Sequence, residues 1–179
     1  MELKKIHKIL VAGGVIAYPT ESVFGLGCDP SNEQAITKIL EIKKRTLAMG
    51  FVLLTPNIEI VSGWVNINNK QLKIFSSPSP KPTTYIVPAS NSAPKWLTVK
   101  NTLAIRLSSD PFIKNICGLL GFPIVSTSAN LHGEQPCRSA DEVQEIMGSQ
   151  LDYIVFKKTG PFNNPSTIVD LSSGKTIRP

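Results

Sequence analysis

Short apolar runs of four or five residues recur along the whole chain and leave few architectures open. Val15-Ile16-Ala17-Tyr18, stopped by Pro19, reads as a buried strand, as do Phe51 to Thr55, Thr83 to Val87, Leu103 to Leu107, Pro123 to Thr127, Tyr153 to Phe156 and Thr167 to Leu171. Helical patterns lie between them. Leu3, Ile6, His7 and Leu10 share a helix face, with Gly13-Gly14 as a stop. Ala35, Ile36, Ile39 and Leu40 form a second stripe, opened by the capping-box spacing of Ser31-Asn32-Glu33-Gln34 and closed by Lys43-Lys44-Arg45. Pro111 to Leu120 gives a third helix, and Ser139-Ala140-Asp141-Glu142 caps a fourth through Val143, Ile146 and Met147. Two further helical stretches follow Thr55. Next comes Ser76-Ser77-Pro78-Ser79-Pro80-Lys81-Pro82, whose prolines exclude a helix or central strand and predict a stiff surface loop. Strands and helices that alternate without a repeat predict an α/β domain with a mixed sheet, and the length predicts one domain over residues 1–179.

Charge narrows the partners without choosing one. A net charge of +6 favours nucleotides, nucleic acid or an acidic membrane. Cys28, Cys117 and Cys137 are odd in number and widely spaced, and His7 and His132 stand far apart. This argues against a disulfide framework or zinc site and for a reducing compartment. The segment Met1 to Ala17 faintly imitates a secretory signal, but Glu2 and Gly13-Gly14 interrupt it, so a cytoplasmic protein is expected. No apolar run approaches the ~18 residues of a membrane span. Gly174-Lys175-Thr176 ends like a P-loop, yet Val169 stands where the first glycine belongs, and there is no dinucleotide fingerprint.

Several segments could present polar groups to a ligand. Tyr18-Pro19-Thr20-Glu21-Ser22-Val23-Phe24-Gly25-Leu26-Gly27-Cys28-Asp29 crowds hydroxyls, a carboxylate and glycines behind a strand. It reads first as a tight turn held by its own side chains and second as a binding loop. Lys43-Lys44-Arg45 is either a solvated helix end or a clamp on a triphosphate. Ser126-Thr127-Ser128-Ala129-Asn130 follows an apolar strand, where α/β proteins bind ligands, though a plain turn fits as well. In Thr102-Leu103-Ala104-Ile105-Arg106, alternation turns Arg106 to the face of Thr102 and Ala104, where it needs a carboxylate from the protein or from a ligand. Asn164 to Asp170 and Arg178, in an expected final strand, complete the set.

Taken in order, these segments resemble the YrdC-like family of threonylcarbamoyl-AMP synthases in its short, single-domain bacterial form, over nearly the whole chain. Tyr18-Pro19-Thr20, Lys43-x-Arg45, Trp96-Leu97-Thr98, Ser126 to Asn130 and Pro136-Cys137-Arg138 carry the likeness. It implies a twisted sheet with flanking helices around a basic concave cavity. It also implies condensation of L-threonine, bicarbonate and ATP, with magnesium on the phosphates, to threonylcarbamoyl-AMP and pyrophosphate for a tRNA modification. Ser22, Arg106, Ser126 and Ser166 would line the threonine pocket, with Arg106 on the carboxylate. Lys43, Arg45, Thr102, Ser128, Asn130 and Arg178 would contact ATP, with Cys137 or Arg138 at the nucleotide's edge. No residue is expected as a general acid or base, and no side-chain metal site is expected. Downstream partners would be a threonylcarbamoyl-transferase complex and tRNA.

The chain departs from that family at Met49, often lysine or another polar residue in relatives, at Leu54, histidine in some, and at Ser79-Pro80-Lys81-Pro82, usually tryptophan-proline-glycine-proline. Lys81 could replace the charge lacking at Met49, and both regions could act as lids. The alternative function is a non-catalytic module of the same fold that binds double-stranded RNA or tRNA through phosphates.

Overall fold

The computed structural model describes residues 2–46, 50–77, 79–162 and 164–179. The expectations for Met49, Pro78 and a lid around Met49 fall outside those residues. The helices are α1 (Glu2–Val11), α2 (Glu33–Lys43), α3 (Asn69–Ser76), α4 (Pro111–Leu120) and α5 (Ala140–Met147). The strands are β1 (Ile16–Pro19), β2 (Phe24–Gly27), β3 (Val52–Thr55), β4 (Thr83–Pro88), β5 (Thr102–Leu107), β6 (Ile124–Ser128), β7 (Tyr153–Ile154), β8 (Thr167–Asp170) and β9 (Thr176–Arg178). They form a twisted mixed sheet in the order β7-β1-β2-β6-β3-β5-β4-β8-β9. β1 with β7, β3 with β5 and β4 with β8 are the parallel pairs.

Local chemistry sets the boundaries. Pro111 opens α4 behind Asp110, whose carboxylate accepts from the N–H groups of Phe112 and Ile113, and Gly121 ends it at φ 72°. α2 begins one residue later than the spacing at Ser31 predicts. Asp29 Oδ1 accepts from the Ser31 N–H at 2.7 Å and holds that residue in a turn, so Asn32 caps the helix through Ala35 N–H. β2 runs through what reads as a loop. Its glycines hide the strand from propensity, and geometry requires at least one of them: a Cβ at Gly27 would lie 2.6 Å from Tyr18 Cε1 and 2.8 Å from Val125 O. β7 is shorter than Tyr153 to Phe156, because after Val155 N–H donates to Ala17 O the chain turns, with Lys157 N–H on Val155 O.

Alternation divides the sheet into two unlike faces. Ala17, Phe24, Leu26, Leu53, Val87, Leu103, Ile105 and Val125 pack under α2, α3 and α5 in the larger core. On the other face α1 and α4 cover only one end, where Ile16, Tyr18, Leu54 and Ile124 are buried with Ile116 and Cys117. Beyond α4, the same face presents Gly25, Val52, Thr84, Ile86, Thr102, Ala104, Arg106, Ser126 and Ile168 to an open hollow. Leu54 therefore belongs to the core, not to the hollow.

Candidate functional site

The hollow is a cavity of about 780 Å³, ample for a nucleotide and an amino acid together. Its floor is the uncovered sheet face, and its rim comes from segments far apart in sequence. The Tyr18–Asp29 segment provides one wall, and part of it is a tight turn held by its own side chains. Thr20 Oγ1 donates to Val23 O at 2.8 Å and Thr20 N–H to the same oxygen, a tight turn between β1 and β2. That turn sets Thr20, Ser22 and Val23 against the cavity.

Ser22, Arg106, Ser126 and Ser166 all line this one cavity, and each is buried. Arg106 comes from β5 and Ser126 from β6. Ser166 stands just before β8, where its hydroxyl meets Thr84 Oγ1 at 2.8 Å. Arg106 has a carboxylate partner within the protein. Glu21 Oε2 lies 3.5 Å from Arg106 Nη2, and Ser108 Oγ donates to Glu21 Oε1 at 2.8 Å. At 3.5 Å the pair is long for a charged hydrogen bond. Arg106 Nε and Glu21 Oε2 have no hydrogen-bond partner among the described residues. A buried guanidinium so balanced in charge, yet with donors unspent, suits an incoming carboxylate. Glu21 is the residue the sequence reading left without a role; its signal was the need of a buried arginine for a fixed anion.

Arg45, Thr102, Ser128 and Arg178 also line the cavity. Arg45 is held by donation to Thr127 Oγ1 at 3.1 Å and to Gly50 O, over the Phe51 ring, and burial lowers its affinity for the proton. Arg178 Nε and Nη2 donate to Ser166 O at 3.2 and 2.8 Å. Thr102 Oγ1 donates to Val99 O at 2.7 Å, so its hydroxyl proton is committed and lone pairs are what it offers.

Lys43 and Asn130 stand behind the wall and are not among the residues lining the cavity. Lys43 Nζ donates to Ser128 O, and to Asn130 O and Oδ1, both at 2.9 Å. Ser128 Oγ donates to the same Asn130 Oδ1 at 2.6 Å, and Asn130 Nδ2 closes the loop on Leu131 O and Glu134 O. Helix phase puts Lys43 on the buried face of α2 with Ile36 and Ile39, and the loop after β6 folds over it. Burial, and then the Arg45 charge, push the Lys43 ammonium down to about 8. Arg138 lines the cavity, whereas Cys137 is buried, its main chain joining Phe24 N–H and Ala129 O. Lys81 is exposed and is not among the lining residues; Lys100, which the sequence reading passed over, is.

Among the described residues the wall carries Arg45, Lys100, Arg106, Arg138 and Arg178 against a single acid, Asp170. The sheet and this hollow define an α/β protein with a basic, hydroxyl-lined pocket cut into one face. The chain belongs to the Sua5_yciO_yrdC family, described as telomere recombination, whose profile matches residues 8–179. The threonylcarbamoyl-AMP synthase of Haemophilus influenzae strain Rd is 42% identical over 182 residues, covering 99% of each chain. That of Photorhabdus laumondii is 44% identical over 173 residues, covering 94% of this chain and 91% of the relative. The crystal structure of P. abyssi Sua5 complexed with L-threonine superposes with a TM-score of 0.86 at 24% identity, over 96% of this chain. This chain spans about half of that longer protein (51%), and at this identity the likeness carries the fold alone.

Proposed function

We propose that the chain is a threonylcarbamoyl-AMP synthase, an enzyme that joins L-threonine, bicarbonate and ATP for a tRNA modification. The observation that carries this reading is identity of 42% and 44% to relatives of that name, over nearly the full length of each. The cavity's chemistry agrees with it. Arg106 would take the threonine carboxylate, with Ser22, Ser126 and Ser166 around the rest of the amino acid. Arg45, Thr102, Ser128 and Arg178 would face ATP, with Lys43 and Asn130 serving it from behind by fixing Ser128.

The reaction needs no dedicated acid–base pair. Threonine's amine adds to the bicarbonate carbon and water leaves, giving a carbamate. A carbamate oxygen then attacks the α-phosphorus, and the bond to the β-phosphate breaks as pyrophosphate departs. The protein's part is to align two anions that repel each other in water and to offset the charge growing on the leaving group. Magnesium enters as the salt of the ATP substrate. The described residues include no group of three or more His, Cys, Asp or Glu side chains fit to hold a metal, and a basic wall disfavours a resident cation.

Residues 1–179 would work as one unit, in the cytoplasm, handing the adenylate to a threonylcarbamoyl-transferase complex that acts on tRNA. No helix among the described residues is long and apolar enough to cross a membrane. Non-catalytic RNA binding is not favoured, since hydroxyls and a buried arginine deep in the cavity serve a small ligand better than a phosphate backbone. Purified protein should release pyrophosphate from ATP only when L-threonine and bicarbonate are both present. Release that ignores threonine, or none at all, would remove the reading.

A further inference from the structure

Lys100 sits where the backbone disfavours it. Val99 and Thr102 exchange N–H to O bonds of 3.0 Å in both directions, closing a two-residue turn at the start of β5. Lys100 and Asn101, with φ of 50° and 60°, are its central residues. Positive φ at both marks a type I′ turn, which favours asparagine, aspartate or glycine. Asn101 fits that demand; a lysine in the left-handed region is strained. The turn is also rigid, because Ala89 N–H donates to Asn101 O at 2.9 Å and Thr102 Oγ1 to Val99 O.

The strain delivers a cation to the cavity. Lys100 lines it, and its exposed ammonium has no ion-pair partner among the described residues. Its place relative to Arg45 follows from packing. Arg45 donates to Gly50 O, and a Cβ on Gly50 would come within 3.2 Å of Val99 Cγ2, the residue before Lys100. Arg45 and Lys100 thus flank one end of the hollow, while Arg106 sits with Glu21 and Ser108. Between them the two cations suit the most densely charged part of an ATP, its outer phosphates.

We infer that Lys100 is a binding residue for the β- and γ-phosphates of ATP, held in a strained turn for that purpose. This rests on the synthase reading for the identity of the nucleotide, but not on turnover. Folding alone would prefer Asn at this position, so Lys100→Asn separates the two roles.

The test compares wild type, Lys100→Asn and Lys100→Arg by calorimetric binding of ATP, pyrophosphate and AMP, with melting temperature measured in parallel. Lys100→Asn should weaken ATP and pyrophosphate about 5- to 20-fold, leave AMP within about twofold, and flatten the salt dependence of ATP binding. Its Tm should rise by about 2–4 °C as the strain is relieved. Lys100→Arg should retain ATP binding within about threefold. Unchanged ATP binding in Lys100→Asn, equal losses for ATP and AMP, or a lower Tm would each overturn the inference. Threonine-dependent pyrophosphate release by the wild type reports on the synthase reading separately, so either can fail while the other stands.

Discussion

Replacing Lys43 by methionine distinguishes a strut from a phosphate clamp. Methionine retains most of the buried stem and removes only the ammonium, which in the native fold satisfies Ser128 O, Asn130 O and Asn130 Oδ1. Asn130 Oδ1 keeps its bond from Ser128 Oγ, and Ser128 O keeps one from the Asn130 N–H at 3.1 Å, so the loss concentrates on Asn130 O. An acceptor left unsatisfied in a buried setting costs about 1–3 kcal/mol. One of them near a partly solvated loop, together with the weakened bonding at Ser128 O and less the relief of no longer burying a charge, gives a net loss of about 1–2 kcal/mol. For a chain of this size that is a fall in Tm of about 3–7 °C. Urea denaturation followed by tryptophan fluorescence measures the loss, and pyrophosphate release with varied ATP measures the function. The strut account requires both to fall, with weaker ATP use following from a displaced Ser128. A Lys43→Met protein as stable as wild type but poor in ATP binding would refute it and put the ammonium directly on the phosphates.

Three further outcomes follow from the same geometry. Lys43 titrates in the folded protein at about 8, below its ordinary 10.5, so between those values the unfolded chain binds more protons and folding stability rises with pH. The stability of wild type relative to Lys43→Met should therefore grow as pH climbs from 8 towards 10.5, and a difference that is flat or shrinks contradicts the shift. Arg106→Lys, which gives up the planar fork, should raise the KM for threonine about 10- to 100-fold with the KM for ATP nearly unchanged, as read by initial rates; equal changes in both would end the division of the cavity. Gly27→Ala, whose new methyl would meet Tyr18 Cε1 at 2.6 Å and Val125 O at 2.8 Å, should lose about 2–3 kcal/mol in urea denaturation, and a loss under about 1 kcal/mol would mean that β2 shifts freely.

Much of the scaffold was legible in the letters because its signals are local. Asp110-Pro111 and Gly121 bracket α4 by capping and φ alone, and the alternation of Leu103 and Ile105 with Thr102, Ala104 and Arg106 sets which face of β5 is core. What escaped depends on distant neighbours. β2 was hidden because Gly25 and Gly27 answer to Ser126, Tyr18 and Val125, none of them adjacent in sequence. Lys43 reads as an exposed cation at a helix end until the loop after β6 folds over it, and nothing in residues 43 to 45 announces that loop. Glu21 as the counter-charge of Arg106 spans 85 positions by subtraction of their numbers, beyond any periodicity. Lys100 required the turn's φ values, although Asn101 beside it hinted at them.

The order of the strands also governs when a growing chain can become competent. β1 is flanked by β7, which pairs Ile16 with Tyr153, and Gly160 N–H reaches back to Thr20 O while Phe162 N–H reaches Glu21 O. Ser166 and Arg178 then close the opposite side of the hollow. A nascent polypeptide emerging from the ribosome must therefore leave β1 with one edge unpaired until Tyr153 and Ile154 have emerged. Such long-range closure slows folding and leaves Ile16 and Ala17 exposed to mispairing during synthesis. Substrate can stabilise only a chain with Ser166 and Arg178 in place, so ligand added to a refolding reaction should slow unfolding far more than it speeds folding.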